Sequence, residues 1–254
     1  MGGARFKREF IFVDEHGDPG PPGQGTKYFA SIALRVTDEA LPQVVQCFAG
    51  MRHWHQISTE LKAIDKNPTL RPLLAANLKQ LSDDGHVRFS VTFLDKGAYT
   101  GPYLEPGQGN RFRNFQLRRL LEWHFAGGEP LANETELVID RHGQADWQVA
   151  HTRDYLARVG YQADPPNRNL PRLHAVTAVD SRYVEMIEVA DLALRMFRRA
   201  SLELVERYVN LDLSFIRACN VTNMQAGWSA STAPEAAHDA ALESIDTTLG
   251  DEEW

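Results

Sequence analysis

Four strand-like segments of the sequence each end in an aspartate, and this repetition indicates where chemistry could occur. Each segment is short, rich in β-branched or aromatic residues, and therefore typical of a buried strand. The segments are 10–13 before Asp14, 89–94 before Asp95, 137–139 before Asp140 and 175–179 before Asp180. Open α/β sheets bind ligands beyond the carboxyl ends of their strands. Parallel strands would therefore gather these carboxylates at one edge of the sheet.

Carboxylates gathered in this way repel one another, so they either bind a cation or have raised pKa values. Their oxygens are hard ligands, which suit Mg²⁺ or Mn²⁺. The alternative is that Asp14 and Asp18 only cap a turn, because aspartate is favoured there. An antiparallel neighbour would send its aspartate to the opposite edge, and we expect this for Asp95.

A helix near the end of the domain adds further carboxylates. Glu188 and Asp191 are three residues apart, so they share one face of that helix, beside an apolar stripe. A carboxylate next to a packed stripe is costly without a partner. A metal ion shared with the strand-end aspartates would be that partner. Pairing of both acids with Arg195 on a solvated face remains the alternative.

The elements that must position these residues follow from hydrophobic periodicity. We predict five strands and five helices in one α/β domain with a mixed sheet. The strands end at Asp14, Val36, Leu94, Asp140 and Asp180. The helices cover about 38–51, 69–81, 112–125, 146–159 and 183–208, the last with a break near Ser201.

The distribution of charge along the chain indicates how many domains it contains. The 254-residue chain has a net charge of −7, and the segment 228–254 carries seven acids with no Lys or Arg. The rest of the chain is therefore neutral overall. We predict one domain over 1–227 and an acidic, mobile tail over 228–254.

The sequence contains no membrane-length apolar run of about 18–20 residues, and its first residues lack the core of an export signal. Two cysteines form no disulfide framework and no metal spacing. We therefore expect a cytoplasmic protein with no membrane partner.

Short motifs in a fixed order resemble the family catalogued as domain of unknown function 3800, a ribonuclease H-like group. The motifs lie between residues 9 and 199: Val-Asp-Glu-His-Gly-Asp at 13–18, Lys-Tyr-Phe at 27–29, Glu-Leu-Lys at 60–62, Leu-Asp-Lys at 94–96, Val-Ile-Asp-Arg at 138–141, Val-Asp-Ser-Arg at 179–182 and Glu-Val-Ala-Asp-Leu at 188–192. Two positions depart from the family pattern. His16 replaces a serine, and Glu188 replaces a glutamine and adds a carboxylate.

The resemblance implies a ribonuclease H-like mixed five-stranded sheet flanked by helices, with the first three strands antiparallel and the later ones parallel. It implies that the catalytic carboxylates are Asp14, Glu60, Asp140 and Asp191, with Asp180 and Glu188 as further metal ligands. The implied reaction is hydrolysis of a DNA or RNA phosphodiester by a nuclease that uses two Mg²⁺ or Mn²⁺ ions. One ion would activate water and the other would stabilise the leaving oxygen.

Basic and aromatic residues supply candidate contacts with nucleic acid. Arginines on two helices could bind phosphates, although an ordinary solvated surface is the alternative. These are Arg111, Arg113, Arg118, Arg119 and Arg195, with Arg198 and Arg199 beside them. We interpret Trp54, Trp123 and Trp147 as core residues, with base-stacking platforms as the alternative. We interpret His16 and His142 as turn residues, with the positioning of water or substrate as the alternative.

Two other functions compete with the nuclease. A haloacid-dehalogenase-like phosphatase would require Asp-x-Asp after the first strand, whereas the sequence has His16 at the third position. A catalytically silent ribonuclease H-like module would bind a protein or nucleic-acid partner without metal. A protein partner or a homo-oligomer is compatible with either function.

Overall fold

Strands and helices alternate along the chain in a computed structural model that describes residues 8–23, 25–57, 67–101, 107–126, 134–141, 146–164, 166–167, 170–180 and 184–222. The strands are β1 (Arg8–His16), β2 (Tyr28–Thr37), β3 (Val87–Asp95), β4 (Glu134–Asp140), β5 (Leu173–Val179) and β6 (Ile216–Asn220). The helices are α1 (Leu41–Trp54), α2 (Leu70–Asp83), α3 (Gly109–Phe125), α4 (Asp146–Val159), α5 (Glu185–Phe197) and α6 (Glu206–Val209), with a π-helical turn at Arg198–Leu202.

One mixed sheet has the strand order β5-β4-β1-β2-β3-β6. The first three strands pair antiparallel, whereas β4 is parallel to β1 and β5 is parallel to β4. These directions confirm the predicted α/β fold with a mixed sheet, in which the first three strands are antiparallel and the later ones parallel. The predicted strand count was one too low, because β6 pairs in parallel with β3 at the far edge. This strand has only five residues, with an arginine at the second position and an asparagine at the end, and therefore gives little periodic signal.

Alternation along the strands sorts the apolar side chains into two cores, one on each face of the sheet. Phe12 and Ile32 face α1, α2 and α5, where the larger cluster lies. Ile11 and Val13 face α3 and α4 in the second cluster, which includes Leu121. The sheet is therefore buried between two layers of helices, and the ends of β1 and β4 lie between those layers.

The strand register determines which aspartates are neighbours. Val13 pairs with Ile139, so Asp14 and Asp140, one residue further along, are level and point to the same face. Asp140 in turn is level with Val179, so Asp180 lies one residue beyond this row. The strand-end aspartates therefore do not all converge.

The direction predicted for Asp95 was wrong. Two antiparallel steps, from β1 to β2 and from β2 to β3, restore the direction of β1, so Asp95 lies at the same edge of the sheet as Asp14. It is nevertheless separated from Asp14 by β2. Its side chain accepts a hydrogen bond from the Gly97 N–H at 3.0 Å and pairs with Lys27 at 3.7 Å.

The predicted long helix is interrupted close to the expected position. α5 ends at Phe197, and the π-helical turn that follows contains Ser201. In the described ranges, no helix combines the length and the apolar character that a membrane span requires. The acidic segment 228–254 lies outside the described residues, so its separation from the domain stays a prediction.

Candidate active site at the ends of β1 and β4

A cavity of about 460 Å³ opens where β1 and β4 end, between α5 on one face of the sheet and α3 and α4 on the other. We call it the carboxylate cleft. Its wall contains the acids Asp14, Glu15, Asp18, Asp140, Glu188 and Asp191. Its volume lies in the usual range of ligand sites, roughly 300–1,000 Å³. Three of the four predicted catalytic carboxylates therefore line one cleft.

Asp14 is the most deeply buried of the strand-end aspartates, with 7% of its surface exposed. Burial raises the pKa of its carboxyl well above the ordinary value, and the neighbouring Asp191 and Asp140 raise it further. A hydrogen bond with the backbone of Glu15 only partly offsets this effect. The main electrostatic neighbours of Asp14 are thus other carboxylates, as the sequence predicted for this edge.

Arginines neutralise the acids of α5. Arg52 from α1 donates to Glu188 at 2.7 Å and to Glu185 at 2.9 Å. Arg195 donates to Asp191 at 3.3 Å, one helical turn along α5. The predicted alternative of pairing with Arg195 is therefore correct for Asp191, although this pair lines the cleft instead of a solvated face.

The donor atoms in the cleft suit a hard cation because they are carboxylate oxygens. In the ranges that the structure describes, no three His, Cys, Asp or Glu side chains are already gathered as a metal-binding group. The fit to Mg²⁺ or Mn²⁺ therefore depends on the chemistry of the donors and on the mutual repulsion at Asp14. The metal site remains a prediction.

The arginines that were predicted to contact phosphates fall into two groups, those that line the cleft and those that do not. Arg113 lies in the cleft wall and pairs with Glu15 at 3.2 Å, on the α3 side of the sheet. Arg195 lies in the opposite wall, and Arg111 is partly exposed outside the lining. Two of these positions can therefore meet a phosphate that enters the cleft.

Arg118 and Arg119 do not reach the cleft, and their assignment to nucleic-acid binding is corrected. Both are buried, and each donates to Glu122 at 2.8 Å. Burial alone would raise the pKa of Glu122, but the two arginines and Asn167 hold it below its ordinary value. The run of arginines on α3 was interpreted as exposed because sequence spacing does not show that this helix is covered by other elements.

α4 contributes a polar face to the cleft, which was not predicted from the sequence. Gln148 donates to Asn110 at 2.9 Å, and Thr152 donates to Asn114 at 2.7 Å. The amide nitrogen of Asn114 lies 3.1 Å from His151 Nδ1. Polar residues four apart on both helices, at 110 and 114 and at 148 and 152, were the available signal.

Two of the three tryptophans predicted in the core are exposed. Trp147 is 64% exposed in the cleft wall, and Trp54 is 80% exposed at the end of α1. Both lie at helix ends, where a side chain can project past the packed body of the helix. Trp123 is half-buried and donates to the Arg217 carbonyl at 3.2 Å.

The loop after β1 is held over the cleft by a buried lysine. Lys96 donates to the carbonyl oxygens of Asp18 and Gly20, at 3.2 Å each. Gly17 has a φ of +111°, and a Cβ there would lie 2.5 Å from the Tyr28 carbonyl. This glycine is therefore needed for the close turn that places His16 and Asp18 in the cleft wall.

Three predicted residues are not among the described residues that line the cleft. Glu60 and His142 lie outside the described residues. Asp180 is described but is absent from the lining, because it is out of step with Asp14 and Asp140. His16 does line the cleft, and burial, followed by the nearby Arg198, lowers its pKa.

Comparison with known proteins adds a distant likeness in architecture. No protein-family model matches the chain, and no curated protein matches its sequence. The chain is similar to the crystal structure of the ribonuclease H2 from Pyrococcus horikoshii OT3, with a TM-score of 0.46 and 11% sequence identity. The alignment covers 78% of this chain and 76% of that one. Membership of the domain of unknown function 3800 family stays a prediction.

Proposed function

We propose that this protein is a nuclease that hydrolyses nucleic-acid phosphodiesters with the help of Mg²⁺ or Mn²⁺. The observation that carries the proposal is the buried Asp14 carboxyl group, which lines one cleft with Asp140 and Asp191 and whose pKa these two acids raise. A phosphodiester is itself an anion, so it would be repelled from this cleft unless a cation neutralised the acids. The same cation would relieve the repulsion among them.

Asp14, Asp140 and Asp191 would hold the metal, with Glu188 as a further ligand. Bound Mg²⁺ or Mn²⁺ would supply neutralising charge and a water of lowered pKa, and the resemblance implies two such ions. Arg113 and Arg195 would orient the substrate by contacting phosphates from opposite walls of the cleft. The loop held by Lys96 would limit the entry of bulk water above the reacting group.

A specific observation also supports the catalytically silent binding module. Arg52 and Arg195 already neutralise Glu188 and Asp191 without a metal. Such a module would bind nucleic acid or a protein, and no carboxylate-dependent uptake of Mg²⁺ or Mn²⁺ would occur. A protein partner or a homo-oligomer, and a cytoplasmic location, stay predictions under either function.

A cleavage assay tests the nuclease proposal. Labelled single- and double-stranded DNA, RNA and a DNA–RNA hybrid are incubated with the protein in Mg²⁺, Mn²⁺ or EDTA. The wild type should cut at least one substrate only with metal, and Asp14→Asn and Asp140→Asn should lose this activity. Asp180→Asn is the matched control, because it removes a strand-end carboxylate that does not line the cleft. Cleavage in EDTA, or full activity of Asp14→Asn, would overturn the proposal.

A further inference from the structure

Trp147 presents a large apolar surface inside an otherwise polar cleft. It is the second residue of α4, is 64% exposed and lines the same cavity as Asp14 and Asp140. Exposure of an indole to water is unfavourable, and tryptophan is normally buried to a large extent. An open indole beside the candidate catalytic carboxylates therefore suggests a ligand that covers it.

The helix beneath Trp147 is fixed on both sides. Gln148 and Thr152 hydrogen-bond to Asn110 and Asn114 of α3, which ties the first turns of α4 to its neighbour. Leu156 packs in the core of that face. The indole therefore projects from a helix that is hydrogen-bonded to α3 and packed in the core. A rigid aromatic loses little conformational freedom when a flat ligand covers it.

We propose that Trp147 stacks on an unpaired base of the substrate, so that the cleft selects single-stranded segments of nucleic acid. This inference rests on the proposed function and names its substrate class. The carboxylates would engage the backbone phosphate through metal, and the indole would engage the base of a nearby nucleotide. In a duplex both faces of a base are covered by neighbouring bases, so only an unpaired or extruded base can stack on a side chain.

The geometry favours stacking over reading of base edges. Every base has a π-face, so a tryptophan platform tolerates any sequence. Two amides that line the same cleft, those of Gln148 and Asn110, hydrogen-bond to each other at 2.9 Å. We therefore expect a preference for single strands with little preference among the four bases.

Binding of short fluorescent oligonucleotides, measured by anisotropy in Ca²⁺ buffer, tests this inference separately from cleavage. The probes are a single strand as DNA and as RNA, the same DNA in a duplex, and a DNA backbone with abasic sites. The proteins are the wild type, Trp147→Ala, Trp147→Phe and Trp54→Ala. Trp54→Ala is the matched control, because it removes an exposed tryptophan that does not line the cleft.

The wild type should bind a single strand more tightly than the duplex. Trp147→Ala should weaken single-strand binding by roughly 10- to 100-fold, the range expected for loss of one aromatic–base stack. Its binding to the abasic probe should be unchanged. Trp147→Phe should retain most of the affinity, and Trp54→Ala should retain all of it. Circular dichroism of each variant should match that of the wild type, because the replaced side chains are exposed.

The inference is overturned if Trp147→Ala binds single strands as the wild type does, if Trp147→Phe is as weak as Trp147→Ala, or if the wild type binds the abasic probe as tightly as the base-bearing strand. Failure of the nuclease proposal gives a different result. Single-strand binding would then depend on Trp147, but no substrate would be cut. Conversely, cleavage that requires Asp14 but is indifferent to Trp147→Ala would retain the nuclease and reject the stacking.

Discussion

Asp14 and Glu122 are both 7% exposed, but their surroundings shift their pKa values in opposite directions. Burial and the neighbouring Asp191 and Asp140 raise the pKa of Asp14. Burial acts on Glu122 in the same direction, but Arg118 and Arg119 reverse its effect and lower the pKa. Glu122 has its counter-charges within the fold, whereas the charges that act most strongly on Asp14 are those of Asp191 and Asp140. The difference separates a carboxylate that is neutralised by arginines of the fold from one that, under the proposed function, would bind a cation.

The origin of the difference is topological. Glu122 lies three and four residues after its arginines on one helix, so the helix itself brings the partners together. Asp14 meets Asp140 because two distant strands pair in parallel and in register. Spacing along one helix therefore brings opposite charges together, whereas chain topology brings like charges together.

The largest expected effect is loss of stability in Glu122→Gln. This variant would leave two buried arginines without their carboxylate, which typically costs roughly 3–5 kcal/mol. Urea denaturation measures the change in the free energy of unfolding. Asp83→Asn is the control, because it removes an exposed i,i+4 partner of Lys79, and it should cost less than about 0.5 kcal/mol. Equal effects of the two variants would contradict the structural role of Glu122.

His124, two residues along the same helix, should make the stability depend on pH. Burial, followed by Arg88 and Arg35, lowers its pKa from 6.5 to about 3. Between these values the unfolded chain binds a proton that the folded chain does not, so stability falls as the pH is lowered from 6.5 towards 3. The slope approaches about 1.4 kcal/mol per pH unit.

Denaturation at several pH values checks this slope. His124→Gln should flatten it, because glutamine can still hydrogen-bond to Ser90, which lies 2.9 Å from His124 Nδ1, and it does not titrate. His174→Gln replaces an exposed histidine and should leave the slope unchanged. If His124→Gln keeps the wild-type slope, this histidine is not its source.

Asp14→Asn should stabilise the metal-free protein, on the order of 1 kcal/mol. The raised pKa means that folded Asp14 retains its proton at pH values where the unfolded chain has lost it. Stability contributed by this group is therefore present at low pH and decreases as the pH rises above about 4. Thermal melts in EDTA at acidic and neutral pH measure the effect. Loss of stability in Asp14→Asn at neutral pH would mean that a cationic group already compensates the carboxylate.

The smallest effect should come from the arginines of the cleft wall. Arg113→Gln should weaken nucleic-acid binding a few-fold and reduce the dependence of log affinity on log salt by about 1, as for loss of one phosphate contact. Arg153→Gln, at an exposed pair with Asp154, is the control and should change neither quantity. An unchanged salt dependence in Arg113→Gln would exclude a phosphate contact there.

Local patterns predicted most of the fold, because they reflect local causes. The apolar runs before Asp14 and Asp140 indicated buried strands, and the three-residue spacing of Glu188 and Asp191 indicated one helical face. The direction of Asp95 depended on counting two antiparallel steps, which no single motif encodes. β6 lies at an edge and is too short to give a periodic signal.

The sequence predicted only part of the candidate site, because burial and register depend on tertiary structure. Carboxylates at strand ends are conspicuous, but the burial of Arg118 depends on the elements that cover α3. The exposure of Trp147 was not predicted, because an aromatic residue near a helix start is usually packed and only the tertiary structure leaves this one open. Asp180 was predicted as a metal ligand, but its one-residue offset from Asp140 depends on the register between β4 and β5, which the sequence does not show.

The most direct test of the account is a calorimetric titration of Mn²⁺ and Mg²⁺ into the metal-free protein at neutral pH. The account predicts binding by the wild type and by Asp180→Asn, and loss of binding in Asp14→Asn and Asp140→Asn. Metal should also raise the melting temperature of the wild type but not that of Asp14→Asn. Absence of binding by the folded wild type, or unchanged binding in Asp14→Asn, would contradict the assignment of this cleft as a cation site.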